Sequence, residues 1–179
     1  VEADGLTVEA LRRRHGAREV KSAETAEERG RLWQGRKKAF GALGRIAPDL
    51  AVQDAVVPRS VLPEVLDRIA GIRDRLALKI SNVFHAGDGN LHPCISFDRR
   101  DPEETRRVGQ ASREIMEACL AVGGSVTGEH GVGSDKMEYM PLAFSAPSLD
   151  LMCEVRRAFD PETRANPGKV FPTHTCREW

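Results

Sequence analysis

Residues Asn82 to Phe97 read NVFHAGDGNLHPCISF, and the order of elements on either side follows from what this run becomes. Ser81-Asn82-Val83-Phe84 is strand-like, Gly87-Asp88-Gly89-Asn90 is a turn cluster, and Cys94-Ile95-Ser96-Phe97 alternates again, so the run predicts a β-hairpin. With the loop ends opposite each other, His85 faces His92 with Cβ atoms roughly 5 Å apart. That spacing suits one ion between them. Period two puts Val83, His85, His92, Cys94 and Ser96 on one face and Phe84, Ile95 and Phe97 on the other. A second Gly-rich stretch, GGSVTGEHGVG at Gly123 to Gly133, carries His130, and the two stretches together hold three of the five histidines.

Working outward, Leu50 to Val57 reads as a strand. Ser60 to Leu78 reads as a helix with Pro63 in its first turn and Val65, Ile69, Ile72 and Leu76 along one stripe. After the hairpin, Asp101-Pro102 opens a long helix whose stripe is Val108, Ala111, Ile115, Cys119 and Val122. Gly123-Gly124 ends it, and Ser125-Val126-Thr127 is a short strand. The order strand, helix, strand, strand, helix, strand predicts an α+β fold: a ferredoxin-like (split βαβ) antiparallel sheet with helices on one face and a core spanning about 50–128. A helix from about Ser148 to Phe159 and a turn at Asn166-Pro167-Gly168-Lys169 follow as an appendix.

Toward the start, Val1-Glu2-Ala3 reads as the end of a strand entering an Asp4-Gly5 turn. Thr7 then caps a helix, Val8 to Arg14, that Gly16 stops. Arg18 to Lys21 reads as a second strand. Thr25-x-x-Glu28 resembles a capping box before a helix that continues from Arg29 to Ala42. An opening strand with no lead-in suggests a fragment of a longer chain.

The 179 residues carry 27 basic and 27 acidic side chains, which gives no electrostatic case for nucleic acid or an anionic membrane as partner. No apolar run approaches the roughly 20 residues that cross a bilayer, and no charged leader precedes an apolar block. The expectation is a cytoplasmic protein, not transmembrane. Cys94, Cys119, Cys153 and Cys176 are widely spaced and form no CxxC pair, so a zinc ribbon is excluded and all four read as reduced thiols.

Glu129-His130 directly follows the last short strand. Glu129, His85 and His92 make a three-ligand set with open coordination positions, as a catalytic divalent ion requires, and the set accepts zinc, iron or manganese. Adjacent side chains on extended backbone diverge, so His130 turns away from that ion toward a substrate, where an imidazole serves as general base near neutral pH. The residues alone leave a plainer reading open, in which each histidine is a hydrogen-bonded core residue. Trp33 and Arg36, three apart, share a helix face and by themselves read as a surface cation stacked on a half-buried indole. His15 and His174 read as surface residues. A self-contained metallohydrolase and a non-catalytic assembly module are the other function classes these features allow.

Three motifs, HAGDGNLHP, GEHGVG followed by Lys136, and DPETRANPGKVFP, resemble the C-terminal (cap) part of FAD-linked 2-hydroxyacid oxidases of the vanillyl-alcohol-oxidase type, among them the glycolate-oxidising members. RLWQGRKKAF and QDAVVPRSVLPEVL extend the likeness over nearly all of residues 1–179. The resemblance implies FAD, held mostly by an N-terminal FAD-binding domain of the same parent chain, since relatives carry that domain upstream and no Gly-rich pyrophosphate-binding segment occurs here. It implies that His85, His92 and Glu129 bind a divalent metal (Zn, Fe or Mn), that His130 is the catalytic base, and that Arg36 grips the substrate carboxylate. Asn166 and Lys169 would lie near the flavin. Relatives that act on 2-hydroxyglutarate carry a lysine and an asparagine where Val52 and Cys94 stand here, so the substrate class implied is a small monocarboxylic 2-hydroxy acid such as glycolate or D-lactate. Other oxidase subunits are implied as partners, with peripheral attachment to the inner membrane through them.

Overall fold

The structure is a computed structural model that describes residues 2–172, with side chains from Val8 onward. His174 and Cys176 lie outside the described residues. The chain divides into two compact units, with the boundary in sequence between Gly41 and Ala42.

In the first unit, α1 spans Glu2–Arg14, so the strand and turn expected at Val1 to Gly5 are corrected: Asp4-Gly5 sits inside the helix. A helical glycine costs only about 1 kcal/mol relative to alanine and does not by itself end the element. Gly16, at φ +83°, does end it, and the amides of Gly16 and Ala17 bond back to the Arg13 and Arg12 carbonyls at 3.0 Å each. Arg18 to Lys21 is not a strand, because extended backbone needs a neighbour to take its hydrogen bonds. The capping box forms as expected at the start of α2, Ala26–Lys37: Thr25 Oγ1 accepts from the Glu28 amide at 3.2 Å and Glu28 Oε2 accepts from the Thr25 amide at 3.1 Å. No side chain of α2 is buried; Trp33 is 57% exposed, so the half-buried indole expected there is not found. A short α3, Ala39–Leu43, continues across the unit boundary.

The second unit is α+β around a small antiparallel sheet. The strand expected at Leu50 to Val57 is present in two pieces, β1 Asp49–Val52 and β2 Ala55–Val56. Both pair with the same partner in a register that stays continuous, Val52 with Cys94 and Ala55 with Leu91. The break faces Pro93. Proline has no N–H, so Gln53 donates to the Pro93 carbonyl at 2.9 Å and receives nothing back.

An apolar helix follows, α4 Leu62–Arg75, with Pro63 in its first turn. Then comes the hairpin of β3 Lys79–His85 and β4 Asn90–Phe97. Its register corrects the expected one: Val83 pairs with His92, and His85 pairs with Asn90. The loop is two residues shorter than a direct His85–His92 pairing needs, because the Asp88 amide closes a tight turn on the His85 carbonyl at 3.0 Å. A shift of two preserves the face of every side chain, so the expected sorting of faces stands. β4 is the central strand, with β3 on one side and β1 and β2 on the other. All eight of its residues are buried.

Against Leu91, Ile95 and Phe97 of β4 pack the stripes of α4 and of α5, Pro102–Ala121. Val65, Ile69, Ile72 and Leu76 come from the first and its cap, Val108, Ala111, Ile115 and Cys119 from the second. The fourth strand expected at Ser125 to Thr127 is reduced to a single antiparallel bridge between Val56 and Ser125. The reason lies in the next three amides, which bond to a buried carboxylate instead of a ladder. A short helix α6, Met140–Ala143, precedes α7, Ala146–Phe159, whose cap Ser145 accepts from the Ser148 amide at 3.4 Å. The appended helix thus begins two residues before its expected start at Ser148.

Cys94 and Cys119 are free and buried, and burial pushes both thiols up to about 11. Cys153 is disulfide-bonded, which corrects the expectation of four reduced thiols. Among the described residues no helix is long and apolar enough to cross a membrane.

The hairpin turn depends on Gly89. It sits at φ +72°, and a Cβ there would lie 2.1 Å from the Val57 carbonyl oxygen, while its own carbonyl accepts from the Val57 amide at 3.0 Å. Gly89→Ala is therefore strained in conformation and in space, and is expected to cost at least about 2 kcal/mol. A urea melt measures it; an unchanged midpoint would contradict this account of the turn.

Candidate metal and proton-transfer site

The register puts Asp54, in the gap between β1 and β2, across from His92 of β4, with Val83 on the far side of the same row. Asp54 is fully buried, and its Oδ2 is a hub. It accepts from Thr127 Oγ1 at 2.6 Å, from the Gly128 amide at 2.9 Å, from the His130 amide at 3.1 Å and from Lys136 Nζ at 3.0 Å. The Glu129 amide reaches both carboxylate oxygens at 3.3 Å. Lys136, itself buried, also donates to the Asp54 carbonyl at 2.9 Å. Burial alone would raise the Asp54 pKa, but the bonds from Thr127, Lys136 and the His130 and Gly128 amides outweigh it and hold the carboxyl well below the usual carboxylate range. A buried charge survives only with such pairing.

The carboxylate thereby folds the loop over the hairpin. Thr127 Oγ1 passes the restraint on by accepting from the Gly131 amide at 2.9 Å, and Gly131 takes φ +83°. A Cβ on Gly128 would lie 2.4 Å from Asn90 Oδ1, so any larger residue there would have to displace the Asn90 carboxamide. Glu129 and His130 are thus delivered beside the two hairpin histidines.

His92 is 2% exposed, and its Nε2 lies 3.0 Å from Glu129 Oε1. His85 Nε2 lies 3.4 Å from the same oxygen. The two rings meet edge to face with centroids 5.5 Å apart, and the His130 ring stacks on His92 at 4.9 Å with an interplanar angle of 10°. So the structure brings together His85, His92, Glu129 and His130. The donor atoms of the first three lie within 4.8 Å of one another. Ligands about 2.0–2.2 Å from one first-row ion stand roughly 3.4 Å apart at a tetrahedral angle, so small rotations suffice for one ion. The side chains of His85 and Glu129 are about half exposed, at 42% and 54%, which leaves such an ion open to a further ligand.

Asp54, His92 and His130 form a second set of the same span. It is the poorer cation site, because the Lys136 ammonium already occupies the Asp54 carboxylate at 3.0 Å and would repel an ion.

His92 Nδ1 is buried and has no hydrogen-bond partner among the described residues, 3.7 Å from Asp54 Oδ1. That orphan fits a ligand at Nε2. With the ring proton on Nε2, as the bond to Glu129 requires, Nδ1 turns a lone pair toward a carboxylate. A ligand at Nε2 moves the proton to Nδ1, where Asp54 accepts it.

Beside His130 a cavity of about 550 Å³ runs along β1, lined also by Gln53, Ser112, Lys136, Tyr139 and Lys169. Lys169 belongs to the NPGK turn. Arg156 of α7 donates to the Ala165, Asn166 and Lys169 carbonyls at 2.9, 3.1 and 3.1 Å, and the Val170 amide reaches the Gly133 carbonyl at 2.8 Å. Asn166 adopts φ +50°, a conformation asparagine tolerates. Arg36 sits half-buried in α2 of the first unit.

Sequence reasoning missed Asp54 as a functional residue, and gave Lys136 no role. The signal was there: an aspartate inside the apolar run Leu50 to Val57 has to find a buried partner.

The family described as FAD linked oxidases, C-terminal domain, matches residues 1–170. The glycolate oxidase subunit GlcD of Escherichia coli (strain K12) is 43% identical over 180 residues, which is 100% of this chain and 36% of that protein. GlcD of Bacillus subtilis (strain 168) is 40% identical over 171 residues, 96% of this chain and 36% of that protein. The mitochondrial D-lactate dehydrogenase [cytochrome] of Arabidopsis thaliana is 34% identical over 171 residues, 94% of this chain and 30% of that protein. The chain spans about a third of the length of these relatives. Its motifs and its match over residues 1–170 agree, and the chain belongs to the family of FAD linked oxidase C-terminal domains.

Proposed function

We propose that this chain is the substrate- and metal-binding part of a flavin-dependent oxidoreductase that oxidises a small 2-hydroxy acid, of the glycolate or D-lactate type, to the 2-oxo acid. Its sheet would be a reduced ferredoxin-like one whose fourth strand has given way to the site loop. The observation that carries the reading is the stacking of His130 on His92 beside the His85–His92–Glu129 cluster: a proton acceptor stands next to a cation site, as alcohol oxidation needs. His85, His92 and Glu129 hold the ion, and Asn166 and Lys169 lie toward the flavin. Lys169 and His130 line one cavity, which fits that placement.

When bound, the divalent ion would supply Lewis acidity at the substrate hydroxyl and the flavin would supply the acceptor for the hydride equivalent, the α-carbon's hydrogen with its two electrons. The chain's own residues do the rest. An imidazole nitrogen of His130 takes the hydroxyl proton. Arg36 fixes the substrate carboxylate with two parallel N–H···O bonds, which orients the α-carbon. Val52 and Cys94 are cross-strand partners, so the pair that differs from 2-hydroxyglutarate-acting relatives is a single adjacent patch. Neither side chain offers a cation or a carboxamide to a second carboxylate.

The experiment is anaerobic reduction of the full-length flavoprotein by glycolate, D-lactate and D-2-hydroxyglutarate. Reduction by glycolate or D-lactate at least about tenfold faster than by D-2-hydroxyglutarate is expected, as the loss of a hydrogen-bonded charge partner implies. Preference for the dicarboxylate, or no reduction by any of the three, would refute the reading.

A further inference from the structure

We infer that Asp54 is the positioning residue of this site: one buried carboxylate sets both the loop that presents Glu129 and His130 and the ring orientation and tautomer of His92. The inference rests on the metal reading above and goes beyond it by assigning a role to a residue outside the ligand set.

The two oxygens of Asp54 divide the work. Oδ2 collects Thr127, the Gly128 and His130 amides and Lys136 between 2.6 and 3.1 Å. Those bonds, with that of the Glu129 amide at 3.3 Å, tie down three successive backbone amides, 128 to 130, at the roots of the Glu129 and His130 side chains. Oδ1 has only the Glu129 amide at 3.3 Å, and beyond it stands His92 Nδ1 at 3.7 Å, buried and without a partner. A distance of 3.7 Å is too long for a hydrogen bond, yet both atoms are buried and nothing else among the described residues serves Nδ1. The arrangement is complete only when Nδ1 carries the proton, and that happens when Nε2 gives its lone pair to a metal ion. Asp54 then orients the ring and makes it a better ligand, as carboxylates behind metal-bound histidines do. Lys136 keeps Asp54 ionised for this task, by its ammonium at 3.0 Å.

Zinc is the probe, in the full-length protein. Long-range ¹H–¹⁵N spectra of the zinc-loaded wild type are expected to show His92 protonated at Nδ1; a proton on Nε2 overturns the proposal, and this arm needs no variant to fold. Zinc affinity, measured by competition with a chelator, is expected to fall about 10–100-fold in Asp54→Asn. In Ile69→Ala, a destabilising control in the buried face of α4 with no part in the Asp54 network, it is expected to change less than about threefold. Parallel losses in both variants, tracking their thermal midpoints, would make Asp54 a merely structural residue and overturn the proposal. If the wild type takes up no zinc, the metal reading itself fails and the inference with it. If the wild type binds zinc and Asp54→Asn binds it equally well, only the inference fails.

Discussion

In the full-length protein, His130→Ala is expected to lower the rate of flavin reduction by a 2-hydroxy acid about 10²–10⁴-fold and to leave the metal content unchanged. The magnitude is that of a general base removed from its transition state. The second half of the expectation comes from geometry. The His130 backbone is tied to Asp54 through its own amide at 3.1 Å, a bond that alanine keeps. Its ring stacks on His92 at 4.9 Å but is outside the His85–His92–Glu129 set, so the ligands remain where they are. Stopped-flow absorbance reads the first quantity, and elemental analysis the second. Unchanged reduction would remove His130 from the mechanism, and loss of metal would move it into the ligand set.

Lys136→Met is expected to destabilise the second unit by about 3–5 kcal/mol, because it leaves a fully buried carboxylate without its cation. Asp54 is 0% exposed and Lys136 7%, so solvent offers little compensation, although Thr127 and the loop amides still donate to the carboxylate. The thermal midpoint should fall by roughly 10 °C or more. The pH dependence has a definite sign. The folded-state pKa of Asp54 lies below its unfolded value, so its stabilisation is present above the ordinary carboxylate pKa of about 3.9 and is lost as pH falls below it. Removing the ammonium raises the folded pKa, so the gap between wild type and variant narrows as pH falls through the variant's folded-state pKa toward the lower one of the wild type. A gap that stays constant from pH 7 to pH 3 would show that packing, and not charge, is what the lysine contributes.

Much of the second unit is legible in its sequence. The stripes of α4 and α5 at Val65, Ile69, Ile72 and at Val108, Ala111, Ile115, Cys119 are buried as their spacing requires, and the face shared by His85 and His92 follows from period two. The hairpin register was not legible. It depends on the turn closed by Asp88 and on Gly89 fitting under Val57, contacts that no local pattern announces. The fourth strand was misread for a reason of the same kind. Ser125 to Thr127 has strand-forming residues, but its continuation spends its amides on Asp54, 75 residues upstream of Glu129. Long-range competition for backbone donors overrides local propensity.

The first unit shows the opposite failure. Arg18 to Lys21 carries an extended pattern with no partner to pair with, and Asp4-Gly5 resembles a turn while lying within α1. The cluster of His85, His92 and Glu129 was accessible from sequence because its residues lie in two short Gly-rich stretches. Asp54 was not, since its role appears only when the sheet places it beside His92.

On the proposed reading His85, His92 and Glu129 hold a divalent ion. Elemental analysis of the full-length protein, purified without chelator, tests it most directly when wild type is compared with Glu129→Gln and His92→Ala. About one equivalent of a transition metal in the wild type, lost from both variants with the fold intact, is the predicted result. A wild type free of metal, or variants that retain the full equivalent, would contradict it.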